Sequence, residues 1–157
     1  MRQILSISIE LCTNCHLCEG WCSFTHTGKI GPAYSRIRVH SMEKEGVSVP
    51  VVCNHCSKAY CMSVCAPRAI KRDTQTGGVL LDQDVCIGCK ACITACPFGA
   101  ISLDPETKVL KCDLCAGAAG PVCVARCPKK AIAYERPELI SITKQKAYSH
   151  GLVKSML

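Results

Sequence analysis

The stretch that decides the fold runs from Cys86 to Pro97 and reads Cys-Ile-Gly-Cys-Lys-Ala-Cys-Ile-Thr-Ala-Cys-Pro. Three cysteines separated by two residues each, then a fourth cysteine and a proline, form the spacing typical of a loop that binds a [4Fe-4S] cubane. The tight loop lets Cys86, Cys89 and Cys92 surround one cubane. Cys96 lies one helical turn further on, so we expect it to face away and to ligate a neighbouring cluster.

The same arrangement occurs four times along the chain. The 157 residues contain sixteen cysteines, which divide into four quartets with none left over. This arithmetic predicts four [4Fe-4S] clusters, no catalytic thiol and no catalytic site. The predicted metal ligands are Cys12, Cys15, Cys18 and Cys22; Cys53, Cys56, Cys61 and Cys65; Cys86, Cys89, Cys92 and Cys96; and Cys112, Cys115, Cys123 and Cys127.

The composition indicates that the clusters take the place of a conventional core. The chain has only one tryptophan, four tyrosines and two phenylalanines, and its length suits one domain or two very small ones. We therefore expect the chain without iron not to fold stably. Residues 1–10 contain no apolar signal segment and no stretch is long enough to span a membrane, so the sequence predicts a soluble, cytoplasmic protein without direct membrane insertion.

The formal charge of +7 would ordinarily indicate an acidic partner, but it omits the clusters. Each oxidised cubane with four thiolates carries about −2, so four of them bring the protein close to neutral. Aromatic residues that could stack on bases are scarce, which argues against nucleic-acid binding. The basic residues near the ligands either offset cluster charge or are simply solvated; they are Lys58, Arg68, Lys90, Lys111, Arg126 and Lys129.

Strand patterns flank the quartets. Alternating apolar and polar residues predict a strand over 3–9 and a hairpin of 35–40 with 47–52. Two more hairpins are predicted, 69–72 with 79–81 and 101–103 with 109–111. Cys65, Cys96 and Cys127 are each followed at the fourth and fifth positions by Ala-Ile, at intervals of thirty-one residues, which indicates an internal repeat. The first quartet departs from it, with His26-Thr27 in place of Ala-Ile.

Several alternatives accompany this interpretation. Structural zinc sites take their ligands as two separated pairs, whereas three cysteines here crowd one loop, so iron–sulfur is favoured over zinc and over disulfides. A Rieske-type site using His16 or His55 as ligands would leave some cysteines without a cluster. His55 is instead a candidate hydrogen-bond donor to cluster sulfur. Residues 116–122 either allow a close backbone approach or form a surface loop. The segment 137–157 either packs on its own domain, which is favoured, or docks on a partner.

The cysteine-bearing stretches resemble the four-cluster ferredoxin-like subunits of redox enzymes, such as those of the dimethyl sulfoxide reductase, formate dehydrogenase and carbon monoxide dehydrogenase systems. The likeness covers residues 3 to about 135. Within it, Cys22-Ser23-Phe24-Thr25-His26, Gly31-Pro32 and Ser35-Arg36-Ile37-Arg38-Val39 are similar to the small iron–sulfur subunits of tungsten-dependent aldehyde oxidoreductases. The stretches that carry the broader likeness are Cys53-Asn54-His55-Cys56, Cys61 to Pro67, Cys86 to Pro97, Lys111-Cys112-Asp113-Leu114-Cys115 and Cys123 to Pro128.

The resemblance implies an α+β fold of two ferredoxin-like pseudo-repeats, with short strands and helices around four cubanes in a row. It implies a four-cluster domain over 1–136, in which quartets 12–22 and 112–127 enclose 53–65 and 86–96, and a possible docking tail over 137–157. The implied function is electron transfer between a catalytic tungstopterin aldehyde oxidoreductase-like subunit and a second partner, namely a flavin subunit, a ferredoxin or further copies of the chain. The alternatives are a subunit of carbon monoxide dehydrogenase, formate dehydrogenase or hydrogenase, or a free polyferredoxin.

The resemblance also implies how the cysteines divide among the clusters. Proximity in sequence alone would pair the first quartet with the second and the third with the fourth. The family instead nests the second and third inside the first and fourth, and each cluster takes three ligands from one quartet and one from its partner quartet. The implied sets are Cys12, Cys15, Cys18 and Cys127; Cys112, Cys115, Cys123 and Cys22; Cys53, Cys56, Cys61 and Cys96; and Cys86, Cys89, Cys92 and Cys65.

Overall fold

The computed structural model describes residues 3–156, so residues 1–2 and 157 at the ends of the expected domain and tail lie outside the described part. Within that range the chain forms short strands and helices in alternation, which confirms the predicted mixture of the two. In chain order they are β1 (Ile4–Ile7), α1 (Leu17–Thr27), β2 (Arg38–Met42), β3 (Val47–Val51), α2 (Tyr60–Ser63), β4 (Ile70–Arg72), β5 (Val79–Leu81), α3 (Ala91–Ala95), β6 (Ile101–Leu103), β7 (Val109–Lys111), α4 (Val122–Ala125), β8 (Ile132–Glu135) and α5 (Pro137–Met156).

The strands form four two-stranded antiparallel sheets. Three of them are the predicted hairpins, β2 with β3, β4 with β5 and β6 with β7. The first hairpin begins at Arg38 rather than at residue 35, because the Ser35 hydroxyl bonds the backbone of Ile37 and closes a local turn. The fourth sheet joins the ends of the cluster-bearing region, with Ile4 opposite Glu135 and Ile7 opposite Ile132.

Proline decides where the short helices stop. The helices α2, α3 and α4 have four or five residues each, and Pro67, Pro97 and Pro128 follow them closely. No proline follows Cys22, so α1 continues for eleven residues and ends where Gly28 adopts a left-handed conformation (φ 68°). The cysteine spacing by itself predicts only a short helix that carries Cys22, so the observed helix is longer than expected. Residues 26–27, which stand where the other units have Ala-Ile, therefore belong to this longer helix.

Two apolar clusters make up the interior, and cysteines belong to both. The first gathers Leu5, Ile37 and Ile132 with Cys18, Cys22, Cys53, Cys112 and Cys123. The second lies around the inner hairpins and consists of Ala59, Ile70, Val79, Cys92, Ile101 and Val109. Cysteine sulfur therefore fills the space that aromatic side chains would occupy in a domain of this size.

The last helix, α5, is largely exposed along its length. Its apolar side chains Leu139, Ile142, Tyr148, Leu152 and Val153 are 42 to 70% exposed. The favoured expectation, that this segment packs on its own domain, is therefore wrong for these side chains. Along residues 3–156, none of the helices combines the length and the apolar character that crossing a bilayer requires.

Candidate metal centres

Each of the four cysteine loops turns at the same position. The residue two places after the first cysteine has a left-handed backbone conformation in every loop: Asn14 (φ 56°), His55 (φ 46°), Gly88 (φ 67°) and Leu114 (φ 59°). Side chains such as leucine rarely adopt this conformation, so the turn is imposed by its surroundings. It directs backbone N–H groups inward, where His55 N donates to Cys53 Sγ at 3.4 Å and Leu114 N donates to Cys112 Sγ at 3.5 Å.

A second turn follows the last cysteine of three quartets. Arg68, Gly99 and Lys130, each three residues after that cysteine, are left-handed with φ of 55°, 60° and 52°. The N–H of each donates to the carbonyl of its cysteine at 2.9 to 3.3 Å. This turn redirects the chain from helix to strand and delivers Ala69, Ala100 and Ala131 at the same point of each unit.

The sixteen cysteines line four cavities, four cysteines to each, in the division that the resemblance implies. Each cavity combines three cysteines of one quartet with the last cysteine of another. We name each after the first cysteine of its loop. The Cys12 cavity holds Cys12, Cys15, Cys18 and Cys127; the Cys112 cavity holds Cys112, Cys115, Cys123 and Cys22; the Cys53 cavity holds Cys53, Cys56, Cys61 and Cys96; and the Cys86 cavity holds Cys86, Cys89, Cys92 and Cys65.

Four helices connect these cavities in pairs. Helix α1 carries Cys18 of the Cys12 cavity and Cys22 of the Cys112 cavity, and it packs on α4. Helices α2 and α3 pack together, and they carry Cys61 of the Cys53 cavity and Cys92 of the Cys86 cavity respectively. The cysteines that follow them exchange cavities: Cys65, after α2, lines the Cys86 cavity, and Cys96, after α3, lines the Cys53 cavity. The two pairs meet where Cys53 and Cys112 share the first apolar cluster. The cavities therefore follow one another in the order Cys12, Cys112, Cys53 and Cys86.

Exposure varies along this order. All four cysteines of the Cys112 cavity are buried, whereas Cys15 in the Cys12 cavity and Cys89 in the Cys86 cavity are exposed. An apolar groove of about 400 Å³ lies beside Cys15 and is lined by Leu17, Trp21, Phe24 and Ile30. The two terminal cavities thus have solvent-facing edges, and the Cys112 cavity in the interior does not.

A buried carboxylate lies beside the Cys12 cavity. Glu19 is only 6% exposed, accepts the N–H of Val39 at 2.7 Å and contacts His16 Nδ1 at 2.6 Å. Burial raises the pKa of Cys18 to about 12, and the negative charge of Glu19 adds to that shift. The Cys12 cavity therefore has an anionic neighbour, and His16 serves to hold that neighbour rather than as a ligand.

A polar network joins α1 to the fourth cysteine loop at the Cys112 cavity. The carboxylate of Asp113 accepts from His26 Nε2 at 3.0 Å and from Arg36 Nη1 at 2.5 Å. His26 Nδ1 donates to the carbonyl of Cys22 at 2.7 Å, so both ring nitrogens have acceptors. The hydrogen bond to Asp113 is the largest cause that raises the pKa of His26 to about 10. Burial opposes ionisation of Asp113, but the bonds from His26 and Arg36 hold its pKa well below the usual range.

A different cation lies at the Cys53 cavity. Lys111 is 3% exposed; its Nζ donates to Cys53 Sγ at 3.3 Å and to the carbonyl of Val79. The N–H of Val79 donates to His55 Nδ1 at 3.0 Å. His55 therefore reaches Cys53 through its backbone N–H, and its ring anchors the strand that holds Lys111.

The basic residues named from the sequence divide sharply. Only Lys111 is buried, and the other five are exposed. Arg126 stacks over the ring of Trp21 at 3.9 Å, which helps to join α4 to α1. Residues 116–119 are exposed and form a surface loop, whereas Pro121 and Val122 line the Cys112 cavity, where the N–H of Val122 donates to Cys115 Sγ at 3.4 Å.

The cavities suit an iron–sulfur cluster. Each offers four sulfur atoms, three from one quartet and one from the end of another. Burial raises the pKa of Cys123 to about 12, and the neighbouring Cys22 and Cys115 add to the shift. Thiolates crowded in this way require a metal centre to hold them deprotonated. A bound cubane would supply that charge and would exchange one electron at a time.

Sequence reasoning assigned no role to Glu19, His26, Arg36 and Asp113, which lie against the cavities. One signal was available for His26, which follows Cys22 by four residues and so shares its helix face. Asp113 lies 87 residues from His26 in sequence, and no local pattern connects the two.

A family model described as a 4Fe-4S dicluster domain matches residues 45–146. The chain belongs to this 4Fe-4S dicluster domain family. The match includes the second, third and fourth quartets, and the first lies before it. This chain is therefore an iron–sulfur protein with a ferredoxin-like [4Fe-4S] domain.

Two curated relatives of this chain are named as subunits of redox enzymes. The aliphatic sulfonate oxidoreductase, polyferredoxin-like subunit of Pyrococcus furiosus is 41% identical over 91 residues, which cover 58% of this chain and 52% of the relative. Formate hydrogenlyase subunit 2 of Escherichia coli is 41% identical over 99 residues, which cover 63% and 47%. The matched region thus spans about half the length of these relatives.

A solved structure shares the fold of this chain. A chain of the active site complex BamBC of benzoyl coenzyme A reductase, in complex with benzoyl-CoA, superposes with a TM-score of 0.52. It is 23% identical, and the match covers 94% of this chain and 90% of that one. The likeness therefore extends over the first quartet as well, at the level of the fold.

Proposed function

We propose that this chain is an electron-transfer subunit that relays electrons through four [4Fe-4S] clusters between a catalytic oxidoreductase subunit and a second redox partner. The observation that carries the proposal is the succession of four cavities, each lined by four cysteines. The proposed ligand sets are those of the Cys12, Cys112, Cys53 and Cys86 cavities. Each quartet supplies three cysteines to one cavity and its last cysteine to the neighbouring cavity, which keeps the two centres of a pair close and favours electron tunnelling between them.

Electrons enter and leave at the two ends of this row. The exposure of Cys15 at one end and Cys89 at the other supports this assignment, since a partner must approach a cluster closely to exchange an electron with it. Apolar side chains stand exposed beside both, namely Phe24 in the groove next to Cys15 and Ile87 next to Cys89. The Cys112 cavity, with all its cysteines buried, has no such edge.

We further propose that the four-cluster region comprises residues 1–136, built as two ferredoxin-like pseudo-repeats, and that residues 137–157 dock on the catalytic subunit. The turn that recurs after Cys65, Cys96 and Cys127 supports the repeats. The exposed apolar side chains of α5 support docking. The alternative, a lid over the outer clusters, receives no support from the lining of the four cavities, to which no described residue of α5 contributes.

The catalytic partner that we propose is a tungstopterin aldehyde oxidoreductase-like enzyme. The similarity of residues 22–26 and 31–39 to the small subunits of those enzymes supports it. A second candidate, a formate- or hydrogen-converting enzyme, is favoured by the 41% identity to formate hydrogenlyase subunit 2.

Anaerobic affinity purification of the chain from its own cells separates these candidates. The tungstopterin proposal expects a catalytic subunit with bound tungsten to co-purify, and reduction of the clusters when its aldehyde substrate is added. Co-purification of a hydrogenase or a formate dehydrogenase would favour the second candidate. Clusters that no co-purified enzyme can reduce would contradict electron transfer from a catalytic subunit.

Deleting residues 138–157 tests the docking role of α5. We expect the iron content to stay unchanged while the co-purifying subunit is lost. The matched control replaces only the polar residues Lys144, Lys146 and Ser149 of α5 with alanine and should keep the partner. Loss of iron with the partner still bound would show instead that α5 is a lid.

A further inference from the structure

Lys111 differs from every other cation near the cavities in burial and in the way its charge is balanced. It is 3% exposed, whereas the five other basic residues named from the sequence are exposed and Arg36 is half-buried. Within residues 3–156, the ion pairs join His16 to Glu19, His26 and Arg36 to Asp113, and Lys108 to Glu106. No carboxylate in that part of the chain therefore neutralises Lys111.

The position of Lys111 is fixed from two sides. Its Nζ donates to the carbonyl of Val79 on β5 and to Cys53 Sγ at 3.3 Å. The N–H of Val79 in turn donates to His55 Nδ1 at 3.0 Å, and the N–H of His55 donates to Cys53 Sγ at 3.4 Å. Cys53 thus receives two N–H donors, one of them charged, from a closed set of hydrogen bonds.

We propose that the buried positive charge of Lys111 raises the reduction potential of the cluster in the Cys53 cavity and makes it the most readily reduced of the four. This inference rests on the proposed cluster ligation. A positive charge held against a ligand sulfur in a buried site favours the reduced, more negative state of the cluster. Hydrogen bonds to sulfur act in the same direction and are among the factors that set cluster potentials.

Among residues 3–156, none of the other three cavities has a buried cation that bonds a ligand sulfur and has no carboxylate partner. At the Cys12 cavity the buried carboxylate of Glu19 pairs with His16 at 2.6 Å, so this pair supplies no net positive charge. At the Cys112 cavity, His26 and Arg36 share the carboxylate of Asp113, and His26 Nδ1 donates to the carbonyl of Cys22 at 2.7 Å while it lies 3.9 Å from Cys22 Sγ. At the Cys86 cavity, Lys90 lines the wall but is exposed, so that water screens its charge. An electron on the row is therefore most stable on the cluster of the Cys53 cavity, near the middle, where the two pairs of cavities meet.

Redox titration of Lys111→Met, followed by electron paramagnetic resonance, tests the inference on the full chain purified without oxygen. Methionine keeps the length of the side chain and removes its charge. We expect full iron content and, for one cluster, at least a tenfold loss in the reduction equilibrium constant, which is 59 mV towards negative potential for one electron. Lys111→Arg, which keeps the charge, and the exposed control Lys108→Met should leave that potential in place. Full iron with four unchanged potentials, or an equal shift in Lys111→Arg, would overturn the inference.

A second variant decides the matter if Lys111→Met does not assemble its clusters. Cys61→Ser alters a ligand of the Cys53 cavity and so marks its spectrum in a chain that keeps Lys111. We expect the altered signal to be the one with the highest potential in the native chain. Alteration of any other signal would overturn the inference. A native chain with no iron would overturn the proposed function and this inference together, whereas full iron with a different ordering of potentials overturns this inference alone.

Discussion

The two pairs of cavities are assembled over different ranges of the sequence. We call the Cys53 and Cys86 cavities the inner pair because their cysteines are the inner ones in sequence. All of them come from residues 53–96, with β4, β5 and the short helices α2 and α3 close by. We call the Cys12 and Cys112 cavities the outer pair because their cysteines come from the two outer stretches of the sequence, residues 12–22 and 112–127. This pair depends on the pairing of β1 with β8, on α1 against α4 and on the network around Asp113. The inner pair is therefore local and the outer pair depends on contacts between distant segments.

Removing the iron should have the largest effect and should abolish the difference between the pairs. Cysteines belong to both apolar clusters, so neither core closes without the metal. We expect chelation to unfold residues 3–135 as a whole, with loss of far-ultraviolet circular dichroism and of dispersed NMR signals. A chain that keeps native dispersion after losing its iron would refute this expectation.

Two buried isoleucines offer a matched comparison of the pairs. Ile132 lies on β8 in the outer core and Ile70 on β4 in the inner core, and both are 2% exposed. Either change to alanine should cost about 2–5 kcal/mol of stability. We expect Ile132→Ala to release iron first from the outer pair and Ile70→Ala from the inner pair, as followed by electron paramagnetic resonance during mild heating. Release in the same order from both variants would mean that the pairs are not separate units.

Replacing Asp113 with asparagine should weaken the outer pair alone. The change removes the acceptor charge for His26 and Arg36, and hydrogen bonds to charged groups contribute about 1.5–3 kcal/mol each. We expect faster loss of iron from the outer pair and unchanged inner signals. Asp73→Asn is the control, because Asp73 caps the exposed turn of the inner hairpin through Thr76. Equal loss from both variants would contradict the role given to the network.

The smallest expected effect concerns the left-handed turn of the loops. At Gly88 (φ 67°) an added Cβ meets no atom within 4 Å, so Gly88→Ala tests the backbone conformation alone. We expect a cost of about 1 kcal/mol and a slight rise in iron loss from the inner pair. Asn14→Gly at the equivalent position of the outer pair should be neutral or slightly stabilising, as measured by thermal release of iron. A larger effect from Asn14→Gly would show that the asparagine side chain has a role of its own.

The sequence predicted what depends on spacing and missed what depends on distance. The bounds of β5, β6 and β7 agree with expectation, because turn residues and periodicity act locally. The grouping of the cysteines that line the cavities agrees with what the family resemblance implied, whereas proximity in sequence alone would have paired the quartets differently. The meeting of His26 with Asp113 and the burial of Lys111 depend on how β1, β8 and the hairpins pack, which no local pattern records. The length of α1 was also missed, although the absence of a proline just after Cys22 indicates a helix that continues.

The most direct test of the account is the iron and sulfide content of the anaerobically purified full chain, measured together with Mössbauer spectroscopy. With four cysteines in each of four cavities, we predict about sixteen iron and sixteen sulfide per chain, all in [4Fe-4S] form. About eight of each would limit the clusters to two and would contradict a row of four. Zinc in place of iron would contradict the account altogether.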